Sequence, residues 1–415
     1  MKPPEPTLLP EQFGTLQGVR ILSTGTIVAE PVAAGMAADM GAEVIHIERP
    51  GGGEDWRHAE FPIESPSGVQ VASSWIQDHR NMFHTTLDFS TPEGRDIFLK
   101  LLQRADIWME SSKARTYDKW GLDDVTVLDA NPKLVICHVS GYGQDGDPDY
   151  VGRASYDFTA QAFGGMMNLM GNPEPEPPTR AVPWTADYIT ALFCLWSSLA
   201  AYIHAQRTGQ GQVIDLAQFE AVHRILSGTM VAYNELGLVR ERAGNKAGNA
   251  QPWDTFQARD GWVVIAAVGP AVYARVCHVL GLDPDHEKWI RARREIHSPA
   301  GIEFDAILRG WVEGRTVDEV VRVFNEAQVG CSRIMDAREM AENPHYRSRG
   351  VHAEWHDDQL RKTVKGVGVV PRFSASPGKI WRGSVPVGYD NDLVYGDLLG
   401  MTPQTLHELA SRKVI

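Results

Sequence analysis

Paired cysteines, an excess of positive charge and a metal-ligand spacing are all missing from this chain. Its 415 residues include four scattered cysteines, with no C-x-x-C pair and no histidine cluster at zinc spacing. We therefore predict buried free thiols and no metal site. Acidic residues outnumber lysine and arginine by 53 to 40. The net charge of −13 argues against a broad surface for nucleic acids or anionic membranes, so any bound anion must meet a local group of cations.

Targeting and membrane-spanning patterns are also weak. The segment Met1–Thr7 has no apolar core of the kind found in signal peptides, so we expect a cytoplasmic protein. The apolar run Ile189–Ala205 is short for a bilayer and is interrupted by polar residues such as Ser197 and Ser198. This run favours a buried core helix over a membrane span.

The chain lacks the glycine fingerprint of dinucleotide-binding folds, although it begins with the pattern of a βαβ unit. Val19–Leu22 predicts a strand, the alanine-rich segment Pro31–Met40 predicts a helix, and Val44–Ile47 predicts a second strand. A dinucleotide fold needs G-x-G-x-x-G at the first strand-to-helix turn, because side-chain-free backbone must approach the pyrophosphate. The corresponding turn, Ser23–Pro31, contains one glycine. The βαβ prediction stands, and an NAD-dependent oxidoreductase is disfavoured.

Strand-like and helix-like segments continue to alternate through the first half of the chain. Thr91-Pro92 predicts a helix start, and Ile107–Met109 and Leu134–Val139 predict further strands. Such alternation is typical of a mostly parallel sheet flanked by helices, with ligands beyond the carboxyl ends of the strands. The residues predicted at those ends are Glu48-Arg49, Glu110–Lys113 and Ser140-Gly141.

A region of different character begins near residue 226. The segment Trp253–Ala267 predicts a hairpin around an Asp-Gly turn, and Thr316–Glu319 forms a capping box that predicts a helix start. We therefore predict a smaller α+β domain over 226–339. Its glycine- and asparagine-rich segment 244–250 is either a loop over the active site or a plain turn between domains.

The rest of the chain is predicted to form one large, discontinuous domain. This Rossmann-like α/β domain would consist of 1–225 and 340–415, because strand-like and helical patterns return near the C-terminus. Val367–Val370 predicts a strand there, and Thr402-Pro403 predicts the start of a last helix.

Seven blocks, in this order, resemble the family III CoA-transferases, which include formyl-CoA and carnitine CoA-transferases. The blocks are Gly41–Pro50, Leu87–Gly94, Ala105–Glu110, Asn131–Leu134, Ser140–Gln144, Tyr156–Ala162 and Thr185–Asp187. Three segments look most similar to the carnitine CoA-transferases, namely Glu110–Lys113, Trp184–Tyr188 and Pro377–Gly383. The resemblance implies an interlocked homodimer, with a heteromer formed with a paralogue as the alternative.

The resemblance implies that Asp187 is the catalytic nucleophile. On local sequence alone, an aspartate just before an apolar helix is usually an N-cap, and a helix N-terminus would hold its carboxylate ionised. The implied reaction passes CoA from an acyl-CoA thioester to a free carboxylic acid through an aspartyl-CoA thioester. CoA thioesters would then be substrates, and no permanently bound cofactor would be needed.

By match to the binding positions of the family, the resemblance also implies a set of CoA contacts. They are Val28, Arg49, Ser111, Lys113, Lys119 and Ser140. The sequence departs from the family pattern at Lys113, which replaces an arginine, and at Ala114-Arg115, which replaces Pro-Gly. Arg115 is therefore a further candidate for a phosphate contact.

The expected acceptor is carnitine-like or a related acid, and several alternatives stay open. One is a succinyl-CoA:aromatic dicarboxylate CoA-transferase subunit of the benzylsuccinate type. Another is an acyl-CoA racemase, which needs a histidine where Tyr156 stands, and tyrosine, with a pKa of about 10, is a poor base. A third is a catalytically silent partner subunit, against which the presence of Asp187 argues. Trp184 either cradles a quaternary ammonium or belongs to the core.

Overall fold

The computed structural model describes residues 7–246, 248 and 250–415, which fall into two compact units. The first unit comprises Met1–Met166, Ala181–Gly228 and Arg347–Ile415, and the second comprises Met167–Arg180 and Thr229–Tyr346. The predicted domains stay a prediction, and these units differ from them mainly at 167–180, which lies in the second unit. The predicted loop 244–250 includes residues 247 and 249, which lie outside the described residues.

The strands are β1 (Arg20–Ser23), β2 (Glu43–Glu48), β3 (Pro62–Glu64), β4 (Gln70–Ala72), β5 (Phe83–Thr86), β6 (Ile107–Glu110), β7 (Val135–Ser140), β8 (Gln212–Ala217), β9 (Trp253–Ala258), β10 (Gly261–Ala266), β11 (Gly330–Arg333), β12 (His352–Asp357) and β13 (Lys362–Val367). The α-helices are α1 (Ala29–Asp39), α2 (Ser73–Asp78), α3 (Pro92–Leu102), α4 (Asp124–Ala130), α5 (Asp157–Phe163), α6 (Thr185–Thr208), α7 (Gln218–Arg224), α8 (Thr229–Leu236), α9 (Pro270–Val279), α10 (Glu287–Ala292), α11 (Pro299–Glu313), α12 (Val317–Glu326), α13 (Ala337–Glu342), α14 (Pro344–Ser348) and α15 (Pro403–Ser411). Short 3-10 helices cover Asp55–His58, Tyr117–Trp120 and Met167–Leu169, and a π-helix covers Asp392–Leu398.

A six-stranded parallel sheet forms the centre of the first unit, in the order β5-β2-β1-β6-β7-β8. The strand order reverses between β1 and β6, which is the arrangement of a doubly wound Rossmann-like sheet with a ligand crevice at that reversal. The second unit contains the three-stranded antiparallel sheet β11-β10-β9, with α11 and α12 packed against it. The predicted α/β fold class is confirmed, and the interlocked dimer stays a prediction.

Small side chains let α1 and α6 pack closely on the sheet. Ala33, Ala34 and Ala37 of α1 are fully buried, and α6 buries a stripe of small residues that includes Ala191 and Ser198. Because neither stripe carries bulky groups, the two helices contact each other along their lengths. In this packing, the first turn of α6 lies at the carboxyl edge of the sheet.

The apolar run at 189–205 lies within α6, but only one face of that helix is buried. Leu192, Trp196 and Ile203 are about half exposed. By length and composition, α6 is the one helix among the described residues that could span a membrane, with a mean hydropathy of 1.3. Core helices of soluble proteins pass the same test, so this finding is weak evidence for a membrane span.

Most of the local signals in the sequence are confirmed. The Thr91 hydroxyl caps α3 by accepting the Gly94 N–H at 3.0 Å, and Thr316 and Glu319 form the predicted capping box. The predicted hairpin is β9-β10, and Thr402 caps the last helix. The strand predicted over Val367–Val370 is wrong, because β13 ends at Val367.

Candidate active site

A cavity of about 240 Å³ lies at the carboxyl edge of the parallel sheet, at the reversal between β1 and β6. Its walls come from the turn after β1, the loops after β6 and β7, the segment before α5, and the starts of α6 and α7. The lining residues are Thr26–Ala29, Ser111–Ala114, Val139–Gly143, Gly152–Tyr156, Asp187 and Gln218. Two of the three predicted strand ends contribute to this cavity, those after β6 and β7, whereas Glu48-Arg49 after β2 does not line it.

Five of the predicted site residues line this one cavity, although they come from distant parts of the sequence. They are Val28, Ser111, Lys113, Ser140 and Asp187. Arg49 and Lys119 do not line it. The Arg49 side chain is 76% exposed and its guanidinium lies 3.5 Å from the Asp55 carboxylate, while Lys119 is exposed on a 3-10 turn. Arg115 is also exposed, with its backbone N–H donating to Gln144 Oε1 at 3.1 Å.

The turn after β1 has its backbone N–H groups occupied by side chains of the protein. The Gly25 N–H donates to Glu30 Oε2 at 2.8 Å, and the Thr26 N–H donates to Ser111 Oγ at 2.9 Å. The Ile27 N–H donates to Glu54 Oε1. A dinucleotide-binding turn would point such groups at a pyrophosphate. Because these N–H groups bond to the protein, the turn does not need the side-chain-free glycines that let a pyrophosphate approach the backbone.

Asp157 satisfies the first turn of α6. Its Oδ1 accepts the N–H groups of Ala186 at 2.7 Å and of Asp187 at 3.3 Å, and its Oδ2 accepts from Gln161 Nε2 at 2.8 Å. The N-cap residue of α6 is Trp184, so the expectation that Asp187 is the N-cap is wrong. Asp187 lies within the first turn, where the Asp157 carboxylate accepts the N–H groups of Ala186 and of Asp187 itself.

The Asp187 carboxyl is buried and has few hydrogen-bond donors. The residue is 6% exposed, and among the described residues its carboxylate accepts one hydrogen bond, from Gln218 Nε2. Burial raises the pKa of Asp187 to about 7, the nearby Asp157 carboxylate adds to the rise, and the Gln218 bond opposes it. Instead of the firmly ionised carboxylate expected from the helix N-terminus, the cavity holds one that is close to its ionisation midpoint at neutral pH.

Two residues of this site were not singled out from the sequence. Gln218, the hydrogen-bond partner of Asp187, follows β8 directly, so the strand-end rule could have identified it. Arg153 lines the cavity with its guanidinium 4.2 Å from the centre of the Tyr150 ring. It stands two residues before the Ser155-Tyr156 block, in a loop whose position relative to the sheet has no sequence signal.

Two buried groups of histidine and glutamate side chains bring possible metal ligands within 4.8 Å of one another. They are His46, Glu48 and His84, and His46, Glu54 and His79. The first group already contains a cation, since Arg57 Nε donates to Glu48 Oε2 at 2.7 Å and Arg57 Nη2 lies 3.3 Å from His84 Nδ1.

The second group is held by internal contacts. His46 Nε2 lies 3.3 Å from Glu54 Oε2, and the His79 ring stacks on Trp75 with a centroid distance of 3.6 Å. Burial keeps the pKa of His79 well below its usual value, so this ring is neutral. Neither group lines the cavity that contains Asp187.

Comparisons with known proteins agree on one family. The sequence profile described as CoA-transferase family III matches residues 16–391. The chain is 36% identical over 410 residues to the bile acid CoA-transferase BaiK of Clostridium scindens, which covers 97% of this chain and 90% of that protein. It is 32% identical over 409 residues to the L-carnitine CoA-transferase of Proteus mirabilis, covering 97% and 96%. A crystal structure of a CAIB/BAIF family protein from Brucella suis superposes with a TM-score of 0.81 at 28% identity, covering 93% of this chain and 100% of that one.

Proposed function

The chain belongs to CoA-transferase family III, and from this premise we propose that it transfers CoA through a covalent thioester on Asp187. The family resemblance inferred from the sequence is confirmed. The protein is thus a CoA-transferase, and CoA thioesters are substrates in its family. The nucleophile, the CoA contacts and the acceptor acid are parts of the proposal.

The environment of Asp187 is the observation that carries the proposal. A carboxylate in water is a weak nucleophile, because hydration stabilises its charge. The Asp187 carboxyl is buried, accepts one described hydrogen bond and has a pKa of about 7. It is therefore poorly stabilised as an anion, yet ionised in an appreciable fraction of molecules at neutral pH. Both properties suit a carboxylate that must attack a thioester.

The proposed reaction keeps an activated acyl bond, as a thioester or as an anhydride, at every stage. An Asp187 oxygen attacks the donor acyl carbon, the C–S bond breaks, and CoA leaves as a thiolate, which gives a mixed anhydride of Asp187 and the donor acid. The thiolate attacks the aspartyl carbonyl and releases the donor as a free carboxylate, which leaves an aspartyl-CoA thioester. The acceptor carboxylate repeats these steps in reverse order, regenerating Asp187 and yielding the new acyl-CoA. No proton or electron is consumed overall.

We propose that CoA approaches Asp187 across the loops after β1, β6 and β7. Val28 would contact the apolar part of the ligand, and Ser111 and Ser140 would supply hydroxyl groups. Lys113 is the predicted cation that lines the cavity, so it is the first candidate for a phosphate contact. Arg49 and Lys119 stay proposed phosphate contacts outside the cavity wall.

The acceptor is proposed to be a carboxylic acid of the carnitine or bile acid kind, because relatives with these names match nearly the whole chain. Trp184 precedes Asp187 by three residues, and its ring lies 5.6 Å from the ring of Trp56, although neither ring lines the cavity. Such rings suit either an apolar body or a quaternary ammonium. A racemase stays disfavoured, because Tyr156 lines the cavity in place of the required histidine.

The decisive experiment compares the wild type with Asp187→Asn, which keeps the side-chain shape and removes the nucleophilic oxygen. Labelled acyl-CoA donors are incubated with L-carnitine, a bile acid and benzylsuccinate. We expect exchange with at least one acid, and a loss of at least about 10³-fold in the variant. Hydroxylamine should trap a hydroxamate on the Asp187 peptide of the wild type alone, as detected by mass spectrometry.

Asp149→Asn, at an exposed carboxyl of a surface loop, is the matched control and should exchange CoA at the wild-type rate. Exchange by Asp187→Asn within tenfold of the wild type would refute the nucleophile. Absence of exchange with every acid would favour the silent-subunit alternative. Sedimentation of the purified chain distinguishes the predicted homodimer from an obligate heteromer.

A further inference from the structure

Ile27 has a backbone conformation that isoleucine rarely adopts. Its φ of 72° lies in the left-handed region, where a β-branched side chain meets the backbone. Ile27 and its neighbour Val28 both line the cavity that contains Asp187. A strained residue persists only where its surroundings hold it in place. The shape of this cavity wall therefore depends on the bonds that hold Ile27.

One buried carboxyl holds Ile27. Glu54 Oε1 accepts the Ile27 N–H, and Glu54 is 6% exposed although it belongs to the loop after β2. The same side chain places its Oε2 at 3.3 Å from His46 Nε2, and its backbone N–H donates to Glu48 Oε2 at 3.0 Å. Glu54 is thus fixed from three directions, and one of its contacts is the strained residue.

His46 connects this carboxyl back to the beginning of the same turn. The ring is fully buried, and its Nδ1 lies 2.9 Å from Ser23 Oγ, at the end of β1. The contacts Ser23–His46–Glu54–Ile27 therefore form a series that connects the beginning of the turn to its end. Ser23 and Glu54 do not line the cavity, so this series of contacts supports the turn from the side away from the cavity.

We propose that the buried Glu54–His46 pair is a positioning device for CoA binding, which holds the turn between β1 and α1 in the shape that accepts the acyl-CoA. The inference rests on the proposed function, because it takes this cavity as the CoA site. Asp187 belongs to α6 and has no described bond to this turn. Loss of the pair should therefore weaken acyl-CoA binding more than it slows the chemical steps.

The test compares Glu54→Ala with Glu54→Gln. The glutamine keeps an oxygen that can accept the Ile27 N–H and an amide that can donate to His46, whereas alanine keeps neither. We expect Glu54→Ala to raise KM for acyl-CoA about tenfold with kcat within about threefold, and Glu54→Gln to stay within about threefold of the wild-type KM. Glu64→Ala, at an exposed carboxyl of β3, is the matched control and should leave both constants unchanged.

A second comparison isolates the strain at Ile27. Glycine adopts a φ near 72° without strain, so Ile27→Gly should make the Glu54 bond less necessary. We expect the tenfold effect of Glu54→Ala on KM to shrink to about threefold or less in the Ile27→Gly background. If Glu54→Ala does not fold, Glu54→Asn takes its place with the same expectations, because its shorter side chain cannot reach both partners.

Two results would overturn the positioning role. One is an unchanged KM in a folded Glu54→Ala, and the other is an equal rise in KM for the alanine and glutamine variants, which would indicate a need for charge alone. Equilibrium binding of CoA is measured in parallel in the Asp187→Asn background. That measurement needs no turnover, so failure of the nucleophile and failure of the positioning role give different results.

Discussion

Two helix starts line the same cavity, and at each of them carboxyl groups of the protein accept backbone N–H groups. The turn that leads into α1 has its N–H groups bonded to Glu30 and Glu54. The first turn of α6 has its N–H groups bonded to Asp157. The N–H groups of Gly25, Ile27, Ala186 and Asp187 are therefore bonded within the protein, whereas N–H groups at such positions usually bind phosphate in a Rossmann-like fold.

The two helix starts differ in where the carboxyl groups lie. At α1 both carboxyls lie behind the wall, and the cavity meets the side chains of Ile27 and Val28. At α6 a second carboxyl, that of Asp187, faces the cavity. Asp157 accepts three hydrogen bonds, whereas Asp187 accepts one. Carboxyl groups at a helix start thus fix the shape of the turn at one helix, and at the other they accompany an under-stabilised carboxylate that we propose as the nucleophile.

The largest effect is expected from removing the single donor to Asp187. In Gln218→Ala the carboxylate loses its described hydrogen bond, so its pKa should rise further above about 7. A bond to a charged acceptor contributes on the order of 1.5–3 kcal/mol, which corresponds to about one to two pKa units. We expect kcat/KM at pH 7 to fall about five- to fiftyfold, in proportion to the ionised fraction, and to recover at pH 9.

The pH dependence separates this explanation from a loss of packing. Steady-state rates between pH 5.5 and pH 9.5 should show the rising limb of Gln218→Ala displaced toward alkaline pH. Gln161→Ala removes a glutamine that bonds to Asp157 instead, so it is the matched control and should leave a smaller displacement. A uniform loss of rate at all pH values in Gln218→Ala would contradict the proposed role.

The next effect concerns phosphate binding. The N–H groups of Gly25, Thr26 and Ile27 are bonded to side chains of the protein, so we expect cationic side chains to bind the phosphates. Lys113 lines the cavity, whereas Arg49 is 76% exposed and lies near Asp55. We expect Lys113→Ala to raise KM for acyl-CoA about tenfold, and Arg49→Ala to raise it about threefold or less.

Salt provides an independent check of that ranking. Raising the ionic strength should weaken CoA binding in the wild type and in Arg49→Ala, and should do so less in Lys113→Ala, which has lost the charge that salt screens. Isothermal titration with CoA measures both quantities. A larger effect from Arg49→Ala would show that the phosphates lie outside the cavity wall, as the family resemblance implies for that residue.

The fold was predictable because its signals are local. Alternating strand and helix patterns, the cap at Thr91 and the capping box at Thr316 each depend on a few adjacent residues, and the structure confirms them. The strand at Val367–Val370 was placed wrongly, because an apolar run alone does not fix where β13 ends. The exposed face of α6 was also missed, since a uniformly apolar run does not show which side is covered.

The site was predictable only in part. Strand ends and family blocks indicated Ser111, Lys113, Ser140 and Asp187, which line one cavity. The raised pKa of Asp187 was not predictable, because it depends first on burial in the fold and then on the charge of Asp157, 30 residues earlier in the chain. The sequence does not show that Asp157 lies beside the start of α6, because the fold brings the two together. A local rule therefore assigned the cap to the wrong aspartate.

The smallest effect tests the influence of Asp157 on Asp187 directly. Asp157→Asn removes the negative charge that helps to raise the pKa of Asp187 and keeps an oxygen that can accept the Ala186 N–H. The proposed nucleophile is the deprotonated form of Asp187, so a lower pKa should extend activity toward acid. We expect the midpoint of the rising limb to fall by about half a unit to one unit, and the rate at pH 6 to rise about threefold. Because the main cause of the raised pKa is burial, which the variant leaves in place, a full return to the pKa of exposed aspartate is not expected. An unchanged midpoint in a folded variant would show that burial alone raises the pKa of Asp187.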